Sequence, residues 1–199
     1  MYIFGASGHA KVVIEALLST GEVIDGVFDD DETIKSILDY QVLGKLTKRS
    51  HELTTDIIIA VGNNQIRERI AKTLLPFTFG NATHASSIIS PSVQLGVGIA
   101  VMANTVINAS TTVGNHVIIN TSASVDHDCI IDDFVHVAPN STICGGVQIG
   151  KGTLIGAGSV IIPNIEIGEY VTVGAGAIIT KDIPSGVTVV GHNKIIKNE

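Results

Sequence analysis

The tripeptide Asp126-His127-Asp128 places an imidazole between two carboxylates. Histidine changes its charge near neutral pH, and a neighbouring carboxylate can orient the ring and stabilise its protonated form. An imidazole in this setting can remove a proton from an attacking amine or hydroxyl. The tripeptide therefore predicts a general base, although a solvated histidine without a chemical role is the plainer interpretation of the spacing alone.

The spacing of the cysteines and of the other histidines does not indicate a particular chemistry. The two cysteines, Cys129 and Cys144, form no metal-type spacing, and we expect no disulfide between them. The three histidines between residues 89 and 183, His116, His127 and His136, are 11 and 9 residues apart. This spacing does not predict a metal site.

A period of six residues organises the second half of the chain. Isoleucine, leucine or valine occupies every sixth position from Ile89 to Ile179, sixteen positions in all. The fourth residue after each of them is almost always small or β-branched, and the third is often glycine or asparagine. Neither a helix nor one strand keeps such a period for about ninety residues, whereas a solenoid of short strands does. We therefore predict a β-solenoid over residues 89–183, with turns at the glycine and asparagine positions.

This pattern resembles the hexapeptide repeat of the left-handed parallel β-helix, a triangular prism in which three hexapeptides make one coil. The resemblance implies that residues 18 apart stack at about 4.8 Å, the spacing of hydrogen-bonded strands. Gly145 would then lie one coil above His127, and its amide could stabilise the oxyanion of an acyl transfer. His136 would lie half a coil from His127, so the two rings need not meet within one chain but could meet across an interface.

The first eighty residues have the pattern of a small α/β domain. Strands predicted at 2–4, 23–28 and 56–61 alternate with helices predicted at 10–18 and 65–75, as in a Rossmann-like βαβαβ unit. The apolar residues expected to be buried by the first helix are Val12, Val13, Ala16 and Leu17. The predicted organisation is an α/β domain over 1–80, a connector over 81–88, the solenoid over 89–183 and a tail over 184–199.

Three strand ends of the α/β domain converge on one edge of the predicted sheet. A glycine-rich turn ending in Gly8-His9 follows the first strand, Asp29-Asp30 follows the second, and Asn63 follows the third. Ligands bind at such carboxyl edges, and phosphates are attracted to helix N-termini. The turn lacks the G-x-G-x-x-G spacing and therefore favours a mononucleotide or nucleotide-sugar over a dinucleotide. A glycine turn that serves only the fold explains this segment equally well.

The composition excludes some classes of function. Twelve Lys and Arg against 19 Asp and Glu give a net charge of −7, and the basic residues are scattered, so we expect no nucleic-acid partner. No charged leader precedes the first strand, and no apolar run reaches the roughly 20 residues of a membrane helix. We expect a cytoplasmic protein of two domains.

Several short motifs, spread over nearly the whole chain, resemble the sugar N-acetyltransferases of the bacillosamine pathway and the related sialic acid O-acetyltransferases. The motifs are Phe4-Gly5-Ala6-Ser7-Gly8-His9, Phe28-Asp29-Asp30, Gly62-Asn63-Asn64-Gln65-Ile66-Arg67, Asn120-Thr121-Ser122, His127-Asp128-Cys129 and Phe134-Val135-His136-Val137. The resemblance implies a homotrimer with active sites between adjacent prisms. Acetyl-CoA would lie along the groove, and the N-terminal domain would hold a UDP-amino-sugar.

The resemblance also implies roles for individual residues. It makes His127 the general base, Asp128 its carboxylate partner and Gly145 the backbone donor near the thioester carbonyl. The acetyl-CoA side would be lined by Asn120, His136, Gly145, Gly156, Ala157, Gly174 and Ala175. The nucleotide pocket would comprise Gly8, His9, Asp29, Asp30, Asn63 and Arg67. Asp128 departs from the family pattern, since close relatives carry glutamate there.

The predicted reaction is acetylation of the 4-amino group of a UDP-4-amino-4,6-dideoxy-N-acetylglucosamine type of sugar, with acetyl-CoA as donor and no metal. Two alternatives use the same base: O-acetylation of sialic acid or another sugar hydroxyl, and N-acetylation of GDP-perosamine. Similar prisms also serve as zinc carbonic anhydrases, which need two histidines five residues apart, and no such pair occurs among His116, His127 and His136. A non-catalytic solenoid would leave the N-terminal domain unexplained.

Overall fold

The chain forms an N-terminal α/β domain and a parallel β-solenoid, in a computed structural model that describes residues 1–46, 53 and 55–196. The elements of the first domain are β1 (Tyr2–Phe4), α1 (Gly8–Ser19), β2 (Gly26–Phe28), β3 (Ser36–Ile37), β4 (Tyr40–Gln41), β5 (Ile57–Ile59) and α2 (Asn64–Thr73). Strands β2, β1 and β5 form a parallel sheet in that order, and β3 and β4 form a small antiparallel hairpin. The predicted Rossmann-like unit is confirmed, with β2 and β5 shorter than expected.

Helix α1 begins two residues earlier than predicted, and its buried face differs at one position. Its buried residues are Ala10, Val13, Ile14, Ala16 and Leu17. Val12 is 36% exposed, so the prediction that it is buried is wrong. Residues 10, 13, 14 and 17 fall on one side of a helix, and residue 12 points away from them.

Three parallel sheets form the faces of the solenoid. Sheet I contains β6 (Ala82–Thr83), β9 (Ala100–Val101), β12 (Ile118–Ile119), β15 (His136–Val137), β18 (Leu154–Ile155), β21 (Thr172–Val173), β23 (Thr188–Val190) and the antiparallel β24 (Lys194–Ile196). Sheet II contains β7 (Ile88–Ile89), β10 (Val106–Ile107), β13 (Ser124–Val125), β16 (Thr142–Ile143), β19 (Val160–Ile161) and β22 (Ile178–Ile179). Sheet III contains β8 (Gln94–Leu95), β11 (Thr112–Val113), β14 (Ile130–Ile131), β17 (Gln148–Ile149) and β20 (Glu166–Ile167). The chain visits sheets I, II and III in turn, as expected for a left-handed β-helix.

The core of the prism consists of the two inward positions in every six. From β7 to β22, the second residue of each strand is apolar and packs inside, as Val125 and Ile143 do with no exposed surface. Polar residues at the other inward position keep their hydroxyls bonded across coils. Thr111 Oγ1 donates to the Asp126 carbonyl at 2.7 Å, and Thr153 Oγ1 donates to the Gly168 carbonyl at 2.8 Å. Buried hydroxyls are therefore satisfied without interrupting the apolar column.

Left-handed backbone conformations recur at the third position after each inward apolar residue, as the sequence predicts. Asn104 has φ 57°, Asp128 φ 58° and Gly146 φ 71°. Bulky residues also occupy this position at the corner between sheets III and I, where His116 has φ 55° and Phe134 φ 59°. The corner therefore tolerates strained residues whose side chains pack against the other domain.

The parallel ladders extend beyond residues 89–183 at both ends. Strand β6 lies within the segment expected as a connector and pairs with β9. Strand β23 lies within the expected tail and pairs with β21, and β24 then folds back on β23. Eighteen parallel strands, β6 to β23, make six coils. Unpaired backbone groups at the end of a ladder favour the addition of a further strand, which the six-residue period does not reveal.

The outer face of sheet I supports the α/β domain. Its first three outward residues, Ala82, Ala100 and Ile118, are buried in one apolar cluster with α1 residues such as Val13 and Leu17. Alanines at the lower coils let the helix approach the sheet closely. The two domains therefore share a core.

Arg67 of α2 joins the two domains by hydrogen bonds to backbone carbonyls. Its side chain is fully enclosed, and the residue is 1% exposed. Each of its five N–H groups has an acceptor within 3.1 Å. The acceptors are the carbonyl oxygens of Val61, Gly62, His116 and Phe134 and the Oδ1 atom of Asn64. The Arg67 side chain thus donates hydrogen bonds both to the loop before α2 and to two successive turns of the solenoid.

Glu68, the next residue of α2, forms the ionic part of the same interface. Its Oε1 lies 2.8 Å from Lys151 Nζ and 2.9 Å from Lys72 Nζ, and its Oε2 accepts from the Tyr170 hydroxyl at 3.2 Å. The hydrogen bond from Lys151 is the largest cause of a pKa lowered to about 2. Glu68 is 8% exposed and the Lys151 side chain is 33% exposed, so water screens this pair less than the pair with Lys72, whose side chain is 69% exposed.

Replacing Arg67 with methionine should lower the free energy of unfolding by about 2–5 kcal/mol, because four buried carbonyls lose a charged donor. Arg69→Met on the exposed side of α2 is the matched control and should change it by less than about 0.5 kcal/mol. Urea unfolding followed by circular dichroism measures both. Equal effects of the two substitutions would contradict the role of Arg67.

The Glu68 contacts should stabilise the fold in a pH-dependent manner. A carboxyl whose pKa falls from 4.5 to about 2 on folding contributes stability above pH 4.5, and this contribution is lost as the pH falls towards 2. The difference in unfolding free energy between wild type and Glu68→Gln should therefore be largest near neutral pH and shrink in that window. Urea titrations at several pH values test this, and a difference independent of pH would disprove it.

Candidate active site

His127 lies on a turn between sheets II and III, two residues after the inward Val125. Its Nδ1 atom is 2.7 Å from Oδ2 of Asp128, and its side chain is 61% exposed. A carboxylate only accepts hydrogen bonds, so we assign the proton of this pair to Nδ1, which leaves Nε2 with a free lone pair. The hydrogen bond to Asp128, with the charge of Asp126, raises the pKa of His127. The ring is therefore an oriented base that is accessible to a substrate.

Gly145 lies one coil above His127, and its lack of a side chain leaves room for the imidazole ring. A β-carbon at residue 145 would lie 2.7 Å from Cε1 and 2.8 Å from Nε2 of His127. Only glycine therefore allows the imidazole to occupy this place. Within the described part of the chain, the Gly145 amide has no acceptor, whereas the following amide, that of Gly146, donates to the His127 carbonyl at 2.9 Å. A free N–H beside a base is a suitable donor for a developing oxyanion.

His136 and Asn120 form a hydrogen-bonded pair on the outer face of sheet I. Nε2 of His136 is 3.0 Å from Nδ2 of Asn120, and Nδ1 is 3.2 Å from the Gly62 carbonyl. A carbonyl can only accept, so Nδ1 carries the proton and Nε2 accepts from the amide. Burial, followed by the charge of Arg67, lowers the pKa of His136 to about 4. His136 is thus a neutral side chain that connects the solenoid to the α/β domain.

His136 also borders a cleft between the two domains, hereafter the interdomain cleft, with a volume of about 440 Å³. Asn63 and Gln65 of the α/β domain and Leu154 and Thr172 of sheet I line it. Asn63 caps α2, because its Oδ1 accepts from the Ile66 amide at 3.0 Å. Its side-chain amide remains exposed towards the cleft. The cleft combines polar groups of both domains.

The glycine-rich turn places His9 against His136. The two ring centroids are 6.2 Å apart, and burial, followed by the charge of Arg67, lowers the pKa of His9 to about 4. The Nε2 atom of His9 is buried without a hydrogen-bond partner. Gly8, in contrast, is exposed as the first residue of α1, and the first amides of a helix have no acceptor within it. Gly8 can therefore donate to an anion, while His9 belongs to the domain contact.

A second cleft, hereafter the strand-edge cleft, lies at the carboxyl edge of the β2-β1-β5 sheet and has a volume of about 320 Å³. Asp29 and Asp30 both line it. Both carboxylate oxygens of Asp29 accept backbone hydrogen bonds, from Ala6 N at 2.7 Å and from Asp31 N at 2.8 Å. Asp30 is exposed. Asp29 therefore shapes the edge, and Asp30 offers the carboxylate that a ligand can use.

The structure contradicts the assignment of Arg67 to the nucleotide pocket. Its five donors are all engaged in the domain contact described above, and the residue is 1% exposed. Arg69, which the sequence analysis missed, lines the strand-edge cleft with Ile66, Ile70 and Thr73. These four residues lie on one face of α2, because they are three or four positions apart. The same periodicity in the sequence could have identified Arg69.

The small-residue edge of the solenoid lies at the corner between sheets I and II. It comprises Gly156, Ala157, Gly174 and Ala175. A β-carbon at Gly156 would lie 2.5 Å from the Val173 carbonyl, so the coils at this corner are in close contact. His127 lies at a different corner, between sheets II and III. One chain therefore does not bring this edge and the base together.

Two searches of the described residues were negative. Neither the first 46 residues nor residues 55–196 contain a group of three or more histidine, cysteine or acidic side chains able to hold a metal ion. In the same residues, no helix is both long and apolar enough to cross a membrane.

Comparisons with known proteins agree with this architecture. Residues 1–74 match the family model of the PglD N-terminal domain, and residues 146–181 match the bacterial transferase hexapeptide repeat. A match to an uncharacterized protein, L142, of Acanthamoeba polyphaga mimivirus is 36% identical over 98 residues. That match covers 49% of this chain, which spans only 20% of the viral protein.

Solved structures similar to this chain cover nearly all of it. A variant of perosamine N-acetyltransferase from Caulobacter crescentus, in complex with CoA and GDP-perosamine, is 37% identical, with a TM-score of 0.95 and coverage of 99% of this chain and 96% of that chain. The acetyltransferase domain of PglB from Neisseria gonorrhoeae is also 37% identical, with a TM-score of 0.91 and coverage of 99% and 98%. WeeI from Acinetobacter baumannii is 28% identical, with a TM-score of 0.89 and coverage of 98% of both chains.

These three solved structures match 98–99% of this chain and therefore span both of its domains. The resemblance indicated by the sequence motifs is thereby confirmed. The chain belongs to the PglD-like family of hexapeptide-repeat sugar N-acetyltransferases.

Proposed function

We propose that this protein transfers an acetyl group from acetyl-CoA to the 4-amino group of a nucleotide-linked 4-amino-4,6-dideoxy sugar. The observation that carries the proposal is the arrangement of His127 and Gly145, in which an oriented imidazole lies against a glycine with an unpaired amide. Acyl transfer to an amine is promoted by a base that removes the proton and by a donor that stabilises the oxyanion, and these two groups lie side by side here. The similar perosamine N-acetyltransferase, bound to CoA and GDP-perosamine, supports this choice of substrates.

The reaction follows from the two groups. The sugar amine attacks the thioester carbonyl carbon, forming the C–N bond, while Nε2 of His127 accepts the proton that the amine loses. Asp128 stabilises the resulting imidazolium through its 2.7 Å contact with Nδ1. The Gly145 amide donates to the oxyanion. When the C–S bond breaks, the proton on His127 can pass to the CoA thiolate, so that neither a covalent acyl-enzyme nor a metal is required.

The α/β domain offers the features expected of a nucleotide-sugar site. The amides at the start of α1, beginning with Gly8, can bind a diphosphate, because a helix N-terminus attracts negative charge. Asp30 and Arg69 in the strand-edge cleft provide a carboxylate and a cation for the nucleoside. Asn63 borders the interdomain cleft, which extends towards His136. We therefore assign the nucleotide to the first domain and the sugar to the side of that domain that faces the solenoid.

In this proposal, acetyl-CoA binds between two copies of the chain. The small-residue edge at Gly156, Ala157, Gly174 and Ala175 lies on a different corner from His127. A coenzyme that runs along that edge and reaches the base must therefore lie between two prisms. A homotrimer with three such grooves satisfies this requirement by rotational symmetry. His136 borders the interdomain cleft and Asn120 is hydrogen-bonded to it, so we assign both to the acceptor side and not to the acetyl-CoA side expected from the sequence.

The nature of the acceptor distinguishes two candidate reactions. O-acetylation of sialic acid or another sugar hydroxyl would use the same base. The N-acetyltransferase from Caulobacter crescentus, 37% identical over nearly the whole chain, favours an amine. An amine is also the easier nucleophile, since it needs to lose its proton only as the new bond forms. We therefore place the amine first and the hydroxyl second.

An acceptor assay tests the proposed function. CoA release from acetyl-CoA would be followed with a thiol reagent in the presence of UDP-4-amino-4,6-dideoxy-N-acetylglucosamine, GDP-perosamine or free sialic acid. Turnover with either amino sugar supports the proposal and identifies the nucleotide. Turnover with sialic acid alone, or with none of the three, refutes it.

His127→Ala should lower kcat by about 10²- to 10⁴-fold, the usual contribution of a general base. His192→Ala, which removes an exposed histidine outside the proposed site, is the matched control and should retain wild-type activity. Because His127 must be deprotonated and its pKa is raised, kcat/KM of the wild type should increase with pH through a midpoint above 6.5. A loss of less than threefold in a folded His127→Ala protein would exclude His127 as the base.

A further inference from the structure

Asp126, the residue before the base, makes several contacts that the reaction described above does not use. Its side-chain Oδ1 accepts from the His127 amide at 2.8 Å and from Asn108 Nδ2 at 2.9 Å. Its own carbonyl accepts from Thr111 Oγ1 at 2.7 Å. Asn108 and Thr111 belong to the preceding coil. Both ends of Asp126 are therefore fixed to the coil below, and the backbone of His127 is fixed to Asp126.

The amide that Asp126 binds belongs to a position that the parallel ladders leave unpaired. At the corner between sheets III and I, the corresponding amides are bound by the side chain that lies one coil above. Asn115 Oδ1 accepts from Val97 N at 3.1 Å, and Asp133 Oδ1 accepts from Asn115 N at 2.6 Å. Each donor and acceptor in these pairs are 18 residues apart. At these turns, a side-chain oxygen thus accepts the hydrogen bond of an amide that the ladders leave unpaired.

That arrangement is impossible at His127. The residue one coil above it is Gly145, whose missing side chain leaves room for the ring. A carboxylate or amide at residue 145 would collide with the imidazole. The acceptor for the His127 amide comes instead from the adjacent position, where Asp126 supplies it.

Asp126 also places a second negative charge beside the imidazole. The hydrogen bonds from Asn108 and from the His127 amide lower the pKa of Asp126, so it is ionised at neutral pH. The titratable groups that face the ring or its neighbouring carboxylate are Asp126 and Asp128 on the same turn and Cys144 on the coil above. Burial and the charge of Asp126 raise the pKa of Cys144, so this thiol stays neutral. Two carboxylates, one on each side, therefore act on a single base.

We propose that Asp126 is a positioning residue for the base, which holds the turn of His127 through its amide and favours the protonated ring through its charge. The proposal rests on the function proposed above, in which His127 is the base. It divides into a geometric part and an electrostatic part. Asp126→Asn separates them, because asparagine keeps the Oδ1 acceptor and removes the charge. Asp126→Ala removes both.

The electrostatic part is tested without any substrate. The pH midpoint for protonation of the His127 ring would be measured by NMR titration of histidine-labelled protein, with His127→Ala used to assign the signal. Asp126→Asn should lower this midpoint by about half a pH unit, the effect of one charge a few ångströms away through water. Asp133→Asn, which removes the corresponding charge at another corner, should leave the midpoint unchanged. An unchanged midpoint in Asp126→Asn would overturn this part.

The geometric part is tested by steady-state kinetics at a pH where His127 is deprotonated. Asp126→Ala should lower kcat by about tenfold or more, because displacement of a catalytic group by a fraction of an ångström is costly, while KM for acetyl-CoA stays within about twofold. Asp126→Asn should restore most of kcat and move the acid limb of kcat/KM to lower pH. Asp133→Ala removes the same kind of turn contact away from the base and is the matched control.

The outcomes separate the two proposals. If Asp126→Ala and Asp133→Ala reduce kcat equally, Asp126 supports only the fold and its positioning role is refuted. Circular dichroism of both variants checks that they are folded, and Asp126→Asn provides a second variant if the alanine protein is not. If the wild type acetylates neither amino sugar, the proposed function fails, and the NMR midpoints alone decide whether Asp126 acts on His127.

Discussion

The spacing of 18 residues between stacked positions is the constraint on which the rest of the structure depends. Strand pairs such as Val106 with Ser124 and Val125 with Ile143 are joined by backbone hydrogen bonds at this spacing. A shift of one residue would turn every inward side chain outward, so the apolar core holds the register. Gly145 lies over His127 for the same reason that Ile143 lies over Val125. The corner that carries His127 is therefore aligned with the corner of Gly145 by the core of the prism.

The position of the α/β domain depends on a contact of a different kind. Apolar packing of α1 on Ala82, Ala100 and Ile118 gives the interface its area, but such packing is poorly directional. Arg67 adds direction, because its planar guanidinium bonds to carbonyls of two stacked turns and of the loop before α2. His136 adds a second hydrogen bond to the Gly62 carbonyl. The clefts of the first domain are thereby held in a fixed relation to the solenoid.

Much of the fold could be predicted from the sequence, because each six-residue period corresponds to one short strand and its turn. The left-handed turn positions follow from glycine and asparagine, and the Asp128 contact with His127 follows from their adjacency. The ends of the solenoid could not be predicted, since β6 and β23 pair through backbone groups and do not continue the apolar period. Arg67 was misassigned for a related reason. Nothing in its local sequence distinguishes an arginine that binds a ligand from one enclosed by the carbonyls of a distant domain. Arg69, in contrast, could have been identified from the helical periodicity of α2.

The pairing of His127 with Gly145 has a consequence for how this chain can change its length. One residue inserted between them would move the glycine away from the ring and place an outward side chain in the core. Only a loop that leaves a corner and returns in register could be accommodated in that segment. A whole additional coil at either end of the prism, in contrast, would leave the pair untouched. A chain built in this way can vary in height by whole coils, while the segment from His127 to Gly145 can lengthen only by a loop of that kind.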